Sequence, residues 1–335
     1  MSTKIIGAGL SGLIAGTVIP DSFVYEARSR SDYQDHSALL RFRSDIVGQA
    51  VGIPFNRVRV TKGIFYKGEF YPPAINLVNL YSRKVIGRPT GERSIINIDP
   101  VERWIAPPDF QDQLIRRLRK QNRIEFEAEA DLANLPAGSI TTAPLPALCM
   151  ALDIDVSAIT FEHAQIQTLR FDLPDANLHQ TIYYPDPTTN LYRASITGRT
   201  MILEFAGSIG DDEGKTRSAW CAMIADSFGL PRVQILNRAG NALAEAEAKA
   251  NSTVHTLRFG KIMDIPSGTR HALLLAISAQ YGIYSLGRFA LWRNILLDDV
   301  IQDIRQIQDM KDSDGYRSRL IKSDIVRGAN RESNS

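Results

Sequence analysis

The chain has 335 residues, 44% of them apolar and 23% charged, with 23 Gly and 16 Pro scattered without a period. That balance excludes collagen-like, coiled-coil and disordered architectures and leaves a globular protein large enough for two interleaved domains. The net charge of +2 hides an asymmetry: Arg28 to Arg123 holds eighteen Lys and Arg against nine Asp and Glu, while the remainder holds twenty-one against twenty-eight.

Two cysteines, Cys149 and Cys221, stand apart from any CxxC or paired-histidine pattern, so neither a disulfide framework nor a metal site is expected. No run of 18 apolar residues occurs and residues 1–15 lack a signal-peptide pattern, so the expectation is a cytoplasmic protein with no membrane partner.

The strongest local motif opens the chain. An apolar strand, Lys4-Ile5-Ile6, runs into Gly7-Ala8-Gly9-Leu10-Ser11-Gly12-Leu13, a helix follows, and a second strand, Phe23-Val24-Tyr25, ends in Glu26, 19 residues after Gly7. Gly7 permits the tight turn, Gly9 lets backbone approach a pyrophosphate, Gly12 allows close helix–strand packing, and the acid meets a ribose. The free N–H groups of the helix N-terminus suit phosphates. The motif therefore predicts a dinucleotide site using Gly7, Gly9, Leu10, Ser11, Gly12, Leu13, Glu26, Ala27 and Arg28. Pro20 makes the helix about one turn shorter than usual for this unit.

Further along, residues 109–123 carry an apolar stripe, Phe110, Leu114, Ile115 and Leu118, that predicts an amphipathic helix. Residues 160–206 alternate apolar and polar in short runs, predicting an antiparallel sheet, with Thr216 to Gly229 and Ala239 to Ala250 as covering helices. Near the end, Gly287 lets backbone come close, Arg288 offers a guanidinium fork, Trp292 offers a flat wall, and Leu297, Val300, Ile301, Ile304 and Ile307 follow helical spacing. The basic first third offers a candidate phosphate-contacting face, with Arg57, Arg59, Lys62 and Lys67 among Phe55, Phe65 and Tyr66 as DNA-binding candidates.

Gly7 to Leu13 with Tyr25-Glu26-Ala27-Arg28 resembles the FAD-binding start of the amine oxidase, protoporphyrinogen oxidase and UDP-galactopyranose mutase superfamily. Residues 124–148, with Thr142 and Ala143, are similar to its returning strand beside the flavin, and Gly287-Arg288-Phe289 through Trp292 to its Gly-Arg signature. The resemblance implies an α/β fold: a Rossmann-like FAD domain from 1–43, 97–150 and 255–312, a mixed α+β substrate domain on an antiparallel sheet from 44–96 and 151–254, and a polar tail from 313–335. It implies FAD contacts at Arg41, Phe42, Phe289 and Leu297 as well, with Leu297 opening a helix aimed at the isoalloxazine. His36 and Arg41 occupy a loop expected to run along the flavin, and Tyr184 with Arg193 matches paired strands that bring aromatic and guanidinium groups over the ring; these four are the candidate catalytic residues.

Within that superfamily, His36 to Arg43, Asn79 to Gly87, Glu92 to Ile95, Glu102 to Pro107 and Ser285 to Trp292 resemble small bacteriophage FAD-dependent oxidases of thymine hypermodification. That likeness implies oxidation of the C–N bond of glycinyl-thymidine in phage DNA, in the host cytoplasm, by hydride transfer to flavin N5, imine hydrolysis and reoxidation by dioxygen. A base in a duplex would be flipped or presented single-stranded. Two alternatives share the motifs: a mutase-like flavoenzyme acting on a nucleotide sugar, and a non-catalytic binding protein stabilised by FAD.

Overall fold

The computed structural model describes residues 2–30, 40–91, 94–209, 215–248 and 253–311. His36 and the tail from 313 lie outside them.

The first unit follows the opening motif. Strand β1 (Thr3–Ile6) leads through the glycine turn into helix α1 (Leu10–Val18), and β2 (Ser22–Glu26) returns parallel to β1, with Ile5 beside Val24. Helix α1 has nine residues, in keeping with the stop at Pro20. Three short strands complete a parallel sheet in the order β14-β8-β1-β2-β7: β7 (Ile124–Phe126), β8 (Ile140–Thr141) and β14 (Tyr284–Ser285). Its strands come from the beginning, middle and end of the sequence. Helix α4 (Phe110–Lys120) buries Phe110, Leu114, Ile115 and Leu118 against α1 and leaves Arg119 and Lys120 in its last turn, where cations suit the dipole. The closing helix, α9, spans 297–311 and buries Val300, Ile301, Ile304 and Ile307 in the same core.

The second unit is a nine-stranded mixed sheet. The predicted strands are present as β9 (His163–Asp172), β10 (Leu178–Tyr183), β11 (Leu191–Gly198) and β12 (Thr200–Ala206), joined antiparallel in the order β9-β12-β11-β10. Strand β4 (Asn56–Tyr66) adds to them in parallel, an arrangement not expected from alternation alone. Its first five residues pair with β6 (Val101–Ile105), and from Thr61 onward it pairs with β10. Strand β3 (Arg41–Phe42) lies beyond β6, β13 (Val254–Ile262) closes the other side next to β9, and the short β5 (Glu69–Tyr71) pairs with the end of β4. The boundaries expected at 43, 97 and 255 leave β3, β6 and most of β13 outside the unit whose sheet they join, because these strands take their hydrogen bonds from the large sheet rather than from the parallel sheet.

Helices α6 (Lys215–Phe228) and α7 (Arg232–Ala248) cover one face, packing Trp220, Ile224 and Ile235 on Leu169, Ile182, Leu203 and Phe205. Helix α7 begins seven residues before the expected Ala239. Helices α2 (Ile46–Val51), α3 (Ile75–Ile86), α5 (Leu145–Ala151) and α8 (Ser267–Tyr281) complete the described chain. Cys149 and Cys221 are buried in separate cores, and no helix among the described residues is long and apolar enough to cross a membrane.

Candidate functional site

The dinucleotide end can be tested glycine by glycine. Gly7 has φ +96°, and a Cβ there would lie 2.2 Å from Thr142 Oγ1; a Cβ on Gly12 would lie 1.9 Å from the Gly7 carbonyl oxygen. Both glycines are demanded by the protein's own packing. Gly9 differs, since nothing lies within 4 Å of a Cβ built there, and it caps the N-terminus of α1. The space above Gly9 suits an anion held by the free amides of that helix.

Glu26, 5% exposed, ends β2 with its carboxylate accepting the Ala8 amide at 2.8 Å, the Arg28 amide at 3.2 Å and Arg28 Nε at 2.8 Å. Burial alone would raise its pKa, but the Arg28 side chain and the two amides hold it below the ordinary carboxylate value, so it stays an acceptor. Thr142 donates its hydroxyl to the Ile6 carbonyl at 2.9 Å, fixing the 142–143 segment beside Gly7. The carboxy-terminal segment arrives at the same place: Gly287, φ +91°, is so close to α1 that a Cβ would sit 2.5 Å from Ser11 Oγ. Three distant stretches thus meet around the first turn of α1, and the residues present fit a dinucleotide.

Several expected contacts have other roles. The side chains of Leu10, Leu13 and Phe42 are buried in the core beneath the parallel sheet, Phe42 with its ring 4.6 Å from Phe55, so only their backbone can face a ligand. Leu297 packs against that core half-buried, whereas Ala27 and Arg28 are exposed at the end of β2. Trp292 is not a flat wall. It is fully buried in a different core, edge-on to Phe161 at 5.1 Å and Phe259 at 5.6 Å. Arg288 has Nη2 3.4 Å from the Gly260 carbonyl in β13 and its guanidinium over the partly exposed Phe289.

The two flanks of the large sheet touch the parallel-sheet unit, through Arg43 after β3 on Asp298 and Asp299 and through Arg288 on Gly260 of β13. Arg41 in β3 reaches past β6 and β4 to β10 and β11, donating to Thr181 Oγ1 at 2.7 Å, Thr197 Oγ1 at 2.8 Å, and the carbonyls of Gln180 and Ile196. Only a curled sheet permits those bonds. Arg41 was expected along the flavin as an FAD contact and candidate catalytic residue; its guanidinium is committed to the sheet, a consequence of strand pairing invisible in sequence. Burial first, then the charge of Arg193, push its pKa down to about 10, so it remains a cation.

On the inner face stands a second cationic group. Arg193 donates Nη2 to Glu204, which also accepts the Tyr192 hydroxyl and lies 3.8 Å from Lys261 Nζ. Burial opposes charge on Glu204, yet Arg193 and Lys261 overcome it and draw its pKa down to about 2. Tyr81 frames the group, 5.5 Å from Tyr183 and 6.0 Å from Tyr192. Arg193 Nε is buried with no hydrogen-bond partner among the described residues. Lys62 faces the same side, its pKa lowered by burial and then by Arg103.

Tyr184 does not belong here. The pleat turns it to the opposite face, fully buried, with its hydroxyl 2.7 Å from Ser227 Oγ in α6, while its neighbour Tyr183 faces Arg41 and Arg193. The DNA-binding set divides for the same reason. Arg57 and Arg59 are on the exposed face of β4, Arg57 paired with Glu102 and stacked over Trp104 at 5.4 Å; Lys62 is on the other face, and Lys67 is in the β4–β5 turn. Missed in sequence were Glu204, Thr181, Thr197, Tyr81 and Lys261. Glu204 carried a signal, as the one carboxylate within the apolar run Met201 to Phe205. Among the described residues no group of three or more His, Cys, Asp or Glu could hold a metal ion.

No family model matches the chain, and no curated protein matches it in sequence. Solved structures do match over nearly its whole length. Reduced UDP-galactopyranose mutase aligns with TM-score 0.59 at 13% identity, covering 92% of this chain and 93% of that one. A mutant of PqsL from P. aeruginosa aligns at 0.52 and 12%, covering 93% and 85%, and the tetrameric form of 2-methyl-3-hydroxypyridine-5-carboxylic acid oxygenase at 0.50 and 10%, covering 92% and 82%. At such identities the likeness is one of architecture: a parallel Rossmann-like sheet with a curled mixed sheet, the α/β fold of FAD-binding oxidoreductases.

Proposed function

We propose that this chain is an FAD-dependent oxidoreductase that oxidises the C–N bond of an amino-acid-like amine, with glycinyl-modified thymidine in phage DNA, or its nucleotide, as substrate and dioxygen as acceptor. The observation that carries the cofactor is the open space above Gly9, bounded by Glu26 and by Gly287 from the far end of the chain. The α1 N-terminus would hold the pyrophosphate, Glu26 the adenosine ribose, and the first turn of α9 at Leu297 the isoalloxazine edge. FAD bound there supplies a two-electron acceptor.

The chain's own residues prepare the substrate. Arg41, Arg193 and Lys62 make the inner face of the curled sheet cationic, with Arg103 adding to the field on Arg41 and Lys62. Positive charge around an amine lowers its proton affinity, so the nitrogen sheds its proton to solvent and keeps its lone pair. Arg193 Nε is the donor left for an acidic group. Nucleic acid would be met through its backbone, Arg57 and Arg59 being the exposed candidates.

The test is FAD uptake followed by substrate. The purified protein should retain FAD with a flavin absorption band, and glycinyl-thymidine DNA should bleach that band without oxygen and yield peroxide with it. A colourless protein that takes up no FAD overturns the reading. The fold likeness to UDP-galactopyranose mutase and the same cationic face favour a second reading, a flavoenzyme acting on a nucleotide sugar; turnover of UDP-galactofuranose only when the flavin is reduced would establish that one instead.

A further inference from the structure

One polar group on the inner face of the curled sheet has no role in the chemistry above. His179 in β10 has its Nδ1 buried with no hydrogen-bond partner among the described residues. Leaving a buried polar atom unpaired is costly, and such an atom in a folded protein calls for a partner. Its place is set by register: His179 lies opposite Thr197, and Tyr183 lies opposite Arg193. Residues 179, 181 and 183 share a face by alternation, and the hydroxyls of Thr181 and Thr197 on that face accept from Arg41. His179 therefore stands beside Arg41, at the opposite end of the inner face from Arg193. Burial and then the Arg41 charge lower its pKa, so the ring is neutral at pH 7 and can pair with a ligand without adding charge.

His179 and Tyr183, the residue opposite Arg193 of β11, are four residues apart along β10, so the backbone positions that carry the two unpaired nitrogens are about 13 Å apart along the strand direction. We propose that His179 is a specificity-determining contact, its Nδ1 pairing with an uncharged polar group of a substrate whose acidic group is held by Arg193 Nε. Together the pair measures length. A free amino acid carries both polar groups on one carbon and cannot touch the two ends; a nucleoside monophosphate can. The inference rests on the oxidoreductase reading only for which end of the ligand reacts.

The experiment is calorimetric titration of the FAD-loaded chain with thymidine 5′-monophosphate, inorganic phosphate and glycine. The nucleotide should bind at least tenfold more tightly than either small ligand. His179→Phe should abolish that margin and leave phosphate binding unchanged, His179→Asn should recover most of it, and Arg193→Lys should weaken nucleotide and phosphate alike. Equal affinity for nucleotide and phosphate in the unsubstituted protein, or an unchanged margin in His179→Phe, overturns the proposal; the first comparison needs no variant, so a misfolded substitution does not rescue it. A chain that oxidises an amine yet lacks the margin sinks His179 and keeps the oxidoreductase. If FAD is not taken up, the oxidoreductase reading falls, and the same titration on the FAD-free chain still decides His179.

Discussion

Gly9 and Gly12 occupy one motif but answer to different forces. A Cβ at Gly12 collides with the Gly7 carbonyl oxygen at 1.9 Å, a backbone atom that cannot swing aside, so Gly12→Ala should destabilise the fold by about 3 kcal/mol in chemical denaturation. Gly9→Ala meets nothing. It should fold with unchanged denaturation midpoint yet weaken FAD binding at least tenfold, and equal FAD affinity would mean that the space above Gly9 is not where the pyrophosphate lies. Glu204 gives a residue-scale pH effect. Its folded pKa, about 2, is below its ordinary value of 4.5, so the stability it confers is fully present above pH 4.5 and is lost as pH falls from there towards 2. Glu204→Gln should lower stability at pH 7 and flatten its dependence between pH 5 and 3, as read by urea denaturation.

At the scale of elements, one side chain braces the large sheet across its strands. Arg41 ties β3 to β10 and β11 through four acceptors, so Arg41→Met leaves the buried Thr181 hydroxyl, the half-buried Thr197 hydroxyl and two carbonyls without their cation. A loss on the order of 3 kcal/mol is expected, with amide exchange accelerated first in β10 and β11. Tyr184 supplies the converse. Tyr184→Phe removes the bond to Ser227 beneath α6 and should cost about 1 kcal/mol while leaving substrate binding unchanged. The paired tyrosines show what sequence could and could not tell at this scale: adjacent strand residues point to opposite faces, but which of the two faces α6 and α7 cover is decided by tertiary packing. The helices α6 and α7 were legible from their patterns, whereas α3 and α8 were not assigned, and neither was the parallel addition of β4 to β10, because a strand's partner is chosen by contacts far along the chain.

For the whole molecule, the parallel sheet is assembled from strands that are nearly 280 residues apart in sequence, β1 to β14, and a ligand spanning their common end binds only the folded state. FAD at one hundred times its dissociation constant should therefore stabilise the protein by about 2.7 kcal/mol, visible as a rise in melting temperature that scales with the logarithm of FAD concentration. The basic first third does not fold into one basic surface. Arg41 and Lys62 turn inward beneath the curl, Arg117 caps the carbonyls of Val51 and Gly52, and Arg57 and Arg59 stay outside.

The local sequence was sufficient for the glycine turn, the acid at the end of β2, the amphipathic α4 and α9, and the four antiparallel strands, because each depends on backbone sterics or a repeat of apolar residues within a few turns. Tertiary structure alone decided that Arg41 braces the sheet, that Trp292 and Phe42 are core, and that Glu204 and His179 share a face with Arg193. Those assignments follow from curling and strand order, and a side chain's neighbours across a sheet are set by pairings between residues that sequence proximity does not relate.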